Sequence, residues 1–100
     1  MYTVIRNYKA APTLADALKS RSKDVEALLT TVPGFMGYYL VKTSDGATSI
    51  TVCENKAGCE ESTKRAGDWL RQNLPELKIA APEIIAGELI FKLSTSKTTV

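Results

Sequence analysis

The side chains of this sequence that could do chemistry are few. They are Asn7, Trp69 and the adjacent Tyr38-Tyr39, with Arg6 and Glu88 as charges set among apolar neighbours. The indole of Trp69 offers an apolar wall and one N–H donor, which suits orienting a flat aromatic ligand; beside Leu70 it equally suits core packing. Asn7 carries an amide that needs hydrogen-bond partners wherever it is buried, in a structural network or against a ligand. Tyr38 and Tyr39 are consecutive on one apolar run, so in a strand they point to opposite faces, and at most one lines a cavity on a given side. Asn7, Trp69 and Tyr39 are the candidate ligand-binding residues. No catalytic acid, base or nucleophile is singled out.

The sequence contains no histidine. That removes Ser-His and Cys-His dyads, imidazole metal ligands and a proximal haem histidine at once. Cys53 and Cys59 have neither thioredoxin nor zinc-site spacing, and Cys53 has no base or cationic cluster in the sequence around it to activate its thiol. Arg65 and Arg71 stand among opposite charges, as on a solvated helix face. The expectation is a chain that uses no metal and no cofactor.

These side chains must be positioned by one domain. At 100 residues, 44% of them hydrophobic, the chain can bury a single modest core, expected over residues 1–93 and followed by a polar, mobile tail over 94–100. A net charge of +2, with both signs interspersed, names no nucleic-acid or membrane partner. No apolar run approaches the roughly 20 residues of a membrane span, and no signal-peptide pattern opens the chain, so a cytoplasmic protein is expected.

Tyr2 to Lys9 alternates as a strand, with Tyr2, Val4, Arg6 and Tyr8 on one face and Thr3, Ile5 and Asn7 on the other; Asn7 is expected to point inward. Thr13 and Asp16 resemble a capping box that opens a first helix running to Pro33, with its apolar stripe lapsing at Ser20 to Ser22. Pro33-Gly34 stops it. A second strand follows over Phe35 to Lys42, with Phe35, Tyr39 and Val41 on one face and Met36, Tyr38 and Leu40 on the other. Asp45-Gly46 signals a hairpin to a third strand over Ser49 to Glu54. Asn55 caps a second helix that Pro75 ends, and Ile84 to Leu93 reads as a long last strand.

Strand, helix, strand, strand, helix, strand is the α+β, ferredoxin-like βαββαβ order: a four-stranded antiparallel sheet with two helices on one face. The first and last strands are read as non-neighbours, so Arg6 and Glu88 are not expected to pair. Two helices cover only one face of the sheet, yet the second and last strands are apolar on both. Sheet-to-sheet homodimerisation, forming a barrel, is the expected remedy.

Val32-Pro33-Gly34-Phe35 leading into Tyr38, then Asp45-Gly46, Glu54 and Glu60-Glu61-Ser62 resemble the dimeric α/β-barrel superfamily, in particular its antibiotic-biosynthesis-monooxygenase-like branch. The resemblance covers residues 2–93 and implies a homodimer with a cavity between helices and sheet. It implies one of several chemistries: cofactor-free oxygenation of polycyclic phenols or quinols, haem degradation or chlorite decomposition. Haem-degrading members use an asparagine on the first strand, a tryptophan on the second helix and a histidine after it. Asn7 and Trp69 match the first two, and the missing histidine removes the third.

Two functions follow, leaving open whether the chain is an enzyme. One is a cofactor-independent monooxygenase-like reaction on a small aromatic substrate; the other is a non-catalytic ligand-binding or stress-associated dimer. RNA binding is disfavoured because the third strand carries no aromatic residue on which a base could stack.

Overall fold

The computed structural model describes residues 1–94. Its elements are β1 (Tyr2–Tyr8), α1 (Leu14–Ser20), α2 (Ser22–Leu29), β2 (Phe35–Lys42), β3 (Ala47–Cys53), α3 (Lys56–Asn73) and β4 (Glu83–Glu88), with a short 3-10 turn at Pro75–Leu77. The four strands form one antiparallel sheet in the order β2-β3-β1-β4. This is the ferredoxin-like topology that the element order predicts. Except for Ser94, the tail expected over 94–100 lies outside the described residues.

The helix predicted up to Pro33 is two short helices. They meet at Arg21, whose φ of -114 and ψ of 30 break the helical run where the apolar stripe lapses. No capping box forms: Thr13 makes no side-chain cap bond, and the first turn is tied instead by Leu14 N–H donating to the Ala11 carbonyl. In α3 the predicted cap is present, with Asn55 accepting from Gly58 N–H at 3.1 Å. Gly58 is itself required there. A Cβ on it would lie 2.8 Å from the Pro33 carbonyl oxygen and 3.0 Å from Cys53 Cβ, so the first turn of α3 sits directly on the end of β3.

Pro33-Gly34 turns the chain with Gly34 in the left-handed region at φ 78, and Glu54 N–H closes the corner on the Gly34 carbonyl at 2.8 Å. The strand that follows does not alternate as expected. Gly37 stands opposite Val52, but Phe35, not Met36, stands opposite Cys53: a β-bulge that carries Phe35 to the helix side with Tyr38 and Leu40. Met36, Tyr39 and Val41 are exposed.

The reading of β4 needs two corrections. It pairs with β1 from Tyr2↔Glu88 to Asn7↔Glu83, so first and last strands are neighbours; Arg6 faces Ile84 across this ladder and still does not meet Glu88. The strand also stops at Glu88, short of Leu93. Just beyond its end, Leu89 N–H donates to the Met1 carbonyl at 2.9 Å.

Helices cover one face only. On that side Val4, Arg6 and Tyr8 of β1 and Ala47, Ser49, Thr51 and Cys53 of β3 are buried under α1, α2 and α3. The other face carries Ile5, Tyr39, Val41, Ile50, Val52 and Ile85, and among these Tyr39 is 61% and Ile85 70% exposed. Among the described residues no helix is long and apolar enough to cross a membrane.

Candidate functional site

The centre of the helix-covered side is a charge. Arg6, 1% exposed, rises from the middle of β1 into the layer between sheet and helices. Its Nε donates to Ser49 Oγ at 3.1 Å and Nη2 to Thr51 Oγ1 at 2.7 Å, both on β3. Its Nη1 donates to Ser62 Oγ at 3.3 Å and Thr63 Oγ1 at 2.8 Å, both on α3. The two α3 hydroxyls in turn donate to the Cys59 carbonyl, at 2.7 Å and 3.1 Å, which leaves their lone pairs for the guanidinium. A guanidinium can only donate, so hydroxyls that accept are the neutral groups that satisfy it. Among the described residues no carboxylate stands at ion-pair distance from Arg6. Its charge is solvated by hydroxyls, with no counter-ion among the described residues.

Two phenols share this charge. Tyr8 and Tyr38 are both pushed above the ordinary tyrosine value by burial, while Arg6 pulls each of them down again; Tyr38 also takes a hydrogen bond from Ser49. Both are neutral at physiological pH. With Arg6, Ser49 and Trp69 they wall an inner chamber of about 30 Å³, the size of one water molecule. Beyond it, between α1–α2 and β2, lies a larger cavity of about 750 Å³. Leu18, Val25, Leu29 and Tyr38 line both chambers, and Phe35, turned inward by the bulge, and Leu40 extend the apolar wall of the outer one. At its rim Lys42 Nζ on β2 pairs with Asp16 on α1 at 3.1 Å, both side chains solvent-exposed.

The three ligand-binding residues read from the sequence are not brought together. Trp69 is on the helix side: it packs against the core, faces the inner chamber, and has the Arg21 guanidinium 5.0 Å from its ring centroid. Asn7 and Tyr39 are on the uncovered face. Asn7 does not point inward, because strand alternation gives the buried positions of β1 to Val4, Arg6 and Tyr8; its Oδ1 accepts from Thr48 Oγ1 across the sheet at 3.0 Å. Tyr38, not Tyr39, is the tyrosine of the cavity. The polar residue that β1 presents to the helices is Arg6, one of the two charges that the sequence sets among apolar neighbours. The signal that places it was present: Ser49 and Thr51 at alternate positions of β3 and Ser62-Thr63 on α3 are hydroxyls on otherwise apolar inward stripes.

Cys53 is not a nucleophile. Burial and the adjacent Cys59 thiol push its pKa to about 11, against a weaker opposing pull from Arg6. It stays protonated, as the lack of an activating group in the sequence predicts. Among the described residues no group of three or more His, Cys, Asp or Glu is placed to hold a metal ion.

Comparison with known proteins agrees with this fold. A family model described as antibiotic biosynthesis monooxygenase matches residues 1–55, more than half of the chain. The chain belongs to the antibiotic biosynthesis monooxygenase family. No curated protein sequence matches this family member significantly. Solved structures share its fold at low identity. A protein of unknown function from Nitrosomonas europaea superposes with a TM-score of 0.67 at 16% identity, covering 96% of this chain and 95% of that one. The ActVA-Orf6 monooxygenase of Streptomyces coelicolor, solved with nanaomycin D, gives 0.63 at 17%, covering 95% and 91%. The haem-degrading MhuD of Mycobacterium tuberculosis, with two haems in its active site, gives 0.65 at 14%, covering 94% and 100%.

The cradle of this family member makes a direct prediction. Thr51→Val keeps the shape of a fully buried side chain and removes the acceptor for Arg6 Nη2, leaving a charged N–H unpaired. Urea unfolding is expected to show a loss of about 2 kcal/mol with an unchanged m-value. Thr48→Val, on the uncovered face, is expected to cost about 0.5 kcal/mol or less.

Proposed function

We propose that this protein is a cofactor-independent monooxygenase of a small aromatic substrate, bound in the outer cavity between α1–α2 and β2. The observation that carries this reading is the cavity itself. Its volume is that of a small-molecule site, its apolar walls are Leu18, Val25, Leu29, Phe35 and Leu40, and Tyr38 stands where it meets the inner chamber. Family membership and the fold shared with ActVA-Orf6 support the same reading.

The chemistry fits a site without histidine or activated thiol. An electron-rich hydroquinone or anthrone can itself reduce dioxygen, so the protein need only desolvate the substrate, hold it flat and stabilise its anion. For an anthrone, the ring CH2 carbon becomes a carbonyl: one dioxygen is consumed, one oxygen atom enters the product and the other leaves as water with both hydrogens. The substrate supplies all four electrons, and no external reductant is needed. Haem degradation fits less well, because a chain with no histidine offers haem iron no imidazole.

The uncovered sheet face belongs to the same proposal as the contact between two copies of the chain. Ile5, Ile50 and Ile85 lie opposite one another in the β1–β3 and β1–β4 ladders, with Tyr39 paired to Ile50 beyond, a contiguous apolar strip that a second sheet would bury. A non-catalytic ligand-binding dimer uses the same cavity and is separated from the enzyme by turnover alone.

Both parts are tested on one preparation. Sedimentation is expected to give a dimer, reduced to monomer by Ile50→Glu. An oxygen electrode with a panel of hydroquinones and anthrones is expected to show dioxygen consumed one-to-one with substrate. Saturable binding of the panel without oxygen uptake would replace the enzyme reading with the ligand-binding one.

A further inference from the structure

A side-chain clamp holds the break between α1 and α2 against α3. Arg21, the residue at the break, reaches across so that its guanidinium carbon lies 5.0 Å from the ring centroid of Trp69, and Nη2 donates to Asn73 Oδ1 at 3.2 Å. Its Nε donates to Asp24 Oδ2, in the first turn of α2, at 3.0 Å. Chemistry dictates the direction of each bond. Asn73 Nδ2, which can only donate, is spent on the Trp69 carbonyl at 3.0 Å, so Oδ1 is turned to a guanidinium that has nothing but donors. One planar fork thus meets a carboxylate, an amide oxygen and an aromatic face together, which a lysine ammonium does not match.

What the clamp holds is a helix with few anchors of its own. Of the eight residues of α2 only Leu29 is buried, while Ser22, Val25, Glu26 and Leu29 line the outer cavity. A helix this short does not persist alone, since roughly 12–15 residues are needed for even marginal helicity in water. Its C-terminal end is seated by Leu29 and, just beyond it, Val32, each 3% exposed. Its N-terminal end has Arg21. Trp69 stands where clamp and cavity meet: the guanidinium lies over its ring, and the same residue walls the inner chamber together with Val25, Leu28 and Leu29 of α2.

We infer that Arg21 is a positioning residue of the ligand cavity: by clamping the α1–α2 break to Trp69 and Asn73, it fixes the indole in the wall and holds α2 over the bound ligand. This rests on the outer cavity being the ligand site proposed above and adds to it a residue that touches no ligand. Arg21 lines neither chamber, so its effect on binding passes through Trp69 and α2. A second tie between α3 and the chain just after α2 serves as a control. Arg65 Nη1 donates to Thr31 Oγ1 at 2.7 Å and Nε to Glu61 Oε2 at 2.8 Å, and Arg65 too lines neither chamber.

The single tryptophan of the chain is the reporter. Acrylamide quenching of Trp69 fluorescence reads how firmly the indole is covered, and calorimetry with anthraquinone-2-sulfonate, a soluble flat tricycle, reads the cavity. In the full-length protein Arg21→Gln is expected to raise the quenching constant and to weaken probe binding about fivefold, the loss of one partly exposed cation–π contact and one hydrogen bond. Arg21→Lys, which keeps the charge without the fork, is expected to fall between the wild type and Arg21→Gln. Arg65→Gln is expected to bind the probe as the wild type does. If Arg21→Gln keeps the wild-type probe affinity, whatever its urea midpoint, or if Arg65→Gln weakens binding as much, the positioning role is refuted and the cavity reading stands. If the wild type binds neither this probe nor the hydroquinones and anthrones, the cavity reading fails and takes this inference with it.

Discussion

A guanidinium that lies almost wholly out of water, with no counter-ion among the described residues, is the constraint on which the rest of this structure depends. Taking such a charge from water costs several kcal/mol after relaxation, and an amphipathic layer of leucines could not hold it. Arg6 is held because four hydroxyls, two from the neighbouring strand and two from the covering helix, each give it a lone pair. A carboxylate would have held it more firmly and erased its field. With hydroxyls the charge persists and its influence reaches Tyr8 and Tyr38.

That cradle dictates the local geometry around it. Ser49 stands opposite Arg6 and Thr51 opposite Val4 in the β1–β3 ladder, so a one-residue slip would send both hydroxyls to the uncovered face. On the helix side, the closeness that Gly58 permits between α3 and the Pro33–Cys53 corner sets the first turn of α3 on the sheet, and Ser62 and Thr63 follow one turn later, above β1. The Pro33-Gly34 corner therefore does more than end a helix and start a strand. It is the surface against which α3 is seated, and it precedes the bulge that turns Phe35 into the cavity wall.

Much of the architecture was legible in the sequence, because turn chemistry and hydrophobic period are local signals. Pro33-Gly34, Asp45-Gly46, Asn55 and the lapse near Ser20–Ser22 each marked a real boundary. What was not legible depended on partners distant in the chain. Alternation splits β1 into two faces without saying which is inner, and an arginine on one of them argues for the solvent side unless its four acceptors, at least 43 residues away, are already known. Asn7 took the inward place because it alternates with the apolar Ile5. The bulge at Phe35 depends on the β2–β3 register, and the end of β4 on its pairing with β1, so neither is written in the strand itself.

The two faces of the sheet thus divide their roles: an apolar strip open to a partner on one, and on the other a charge shielded by hydroxyls at the end of an apolar cavity. The central claim is that the Arg6 charge acts on the cavity through Tyr38. Carbon-13 NMR of ring-labelled tyrosine, titrated with pH and assigned with Tyr38→Phe, measures this directly. Burial raises the Tyr38 phenol and Arg6 opposes the rise, so in Arg6→Met, with the spectrum itself reporting a folded chain, Tyr38 is expected to ionise at a higher pH than in the wild type. A midpoint that is unchanged or lower would contradict the account.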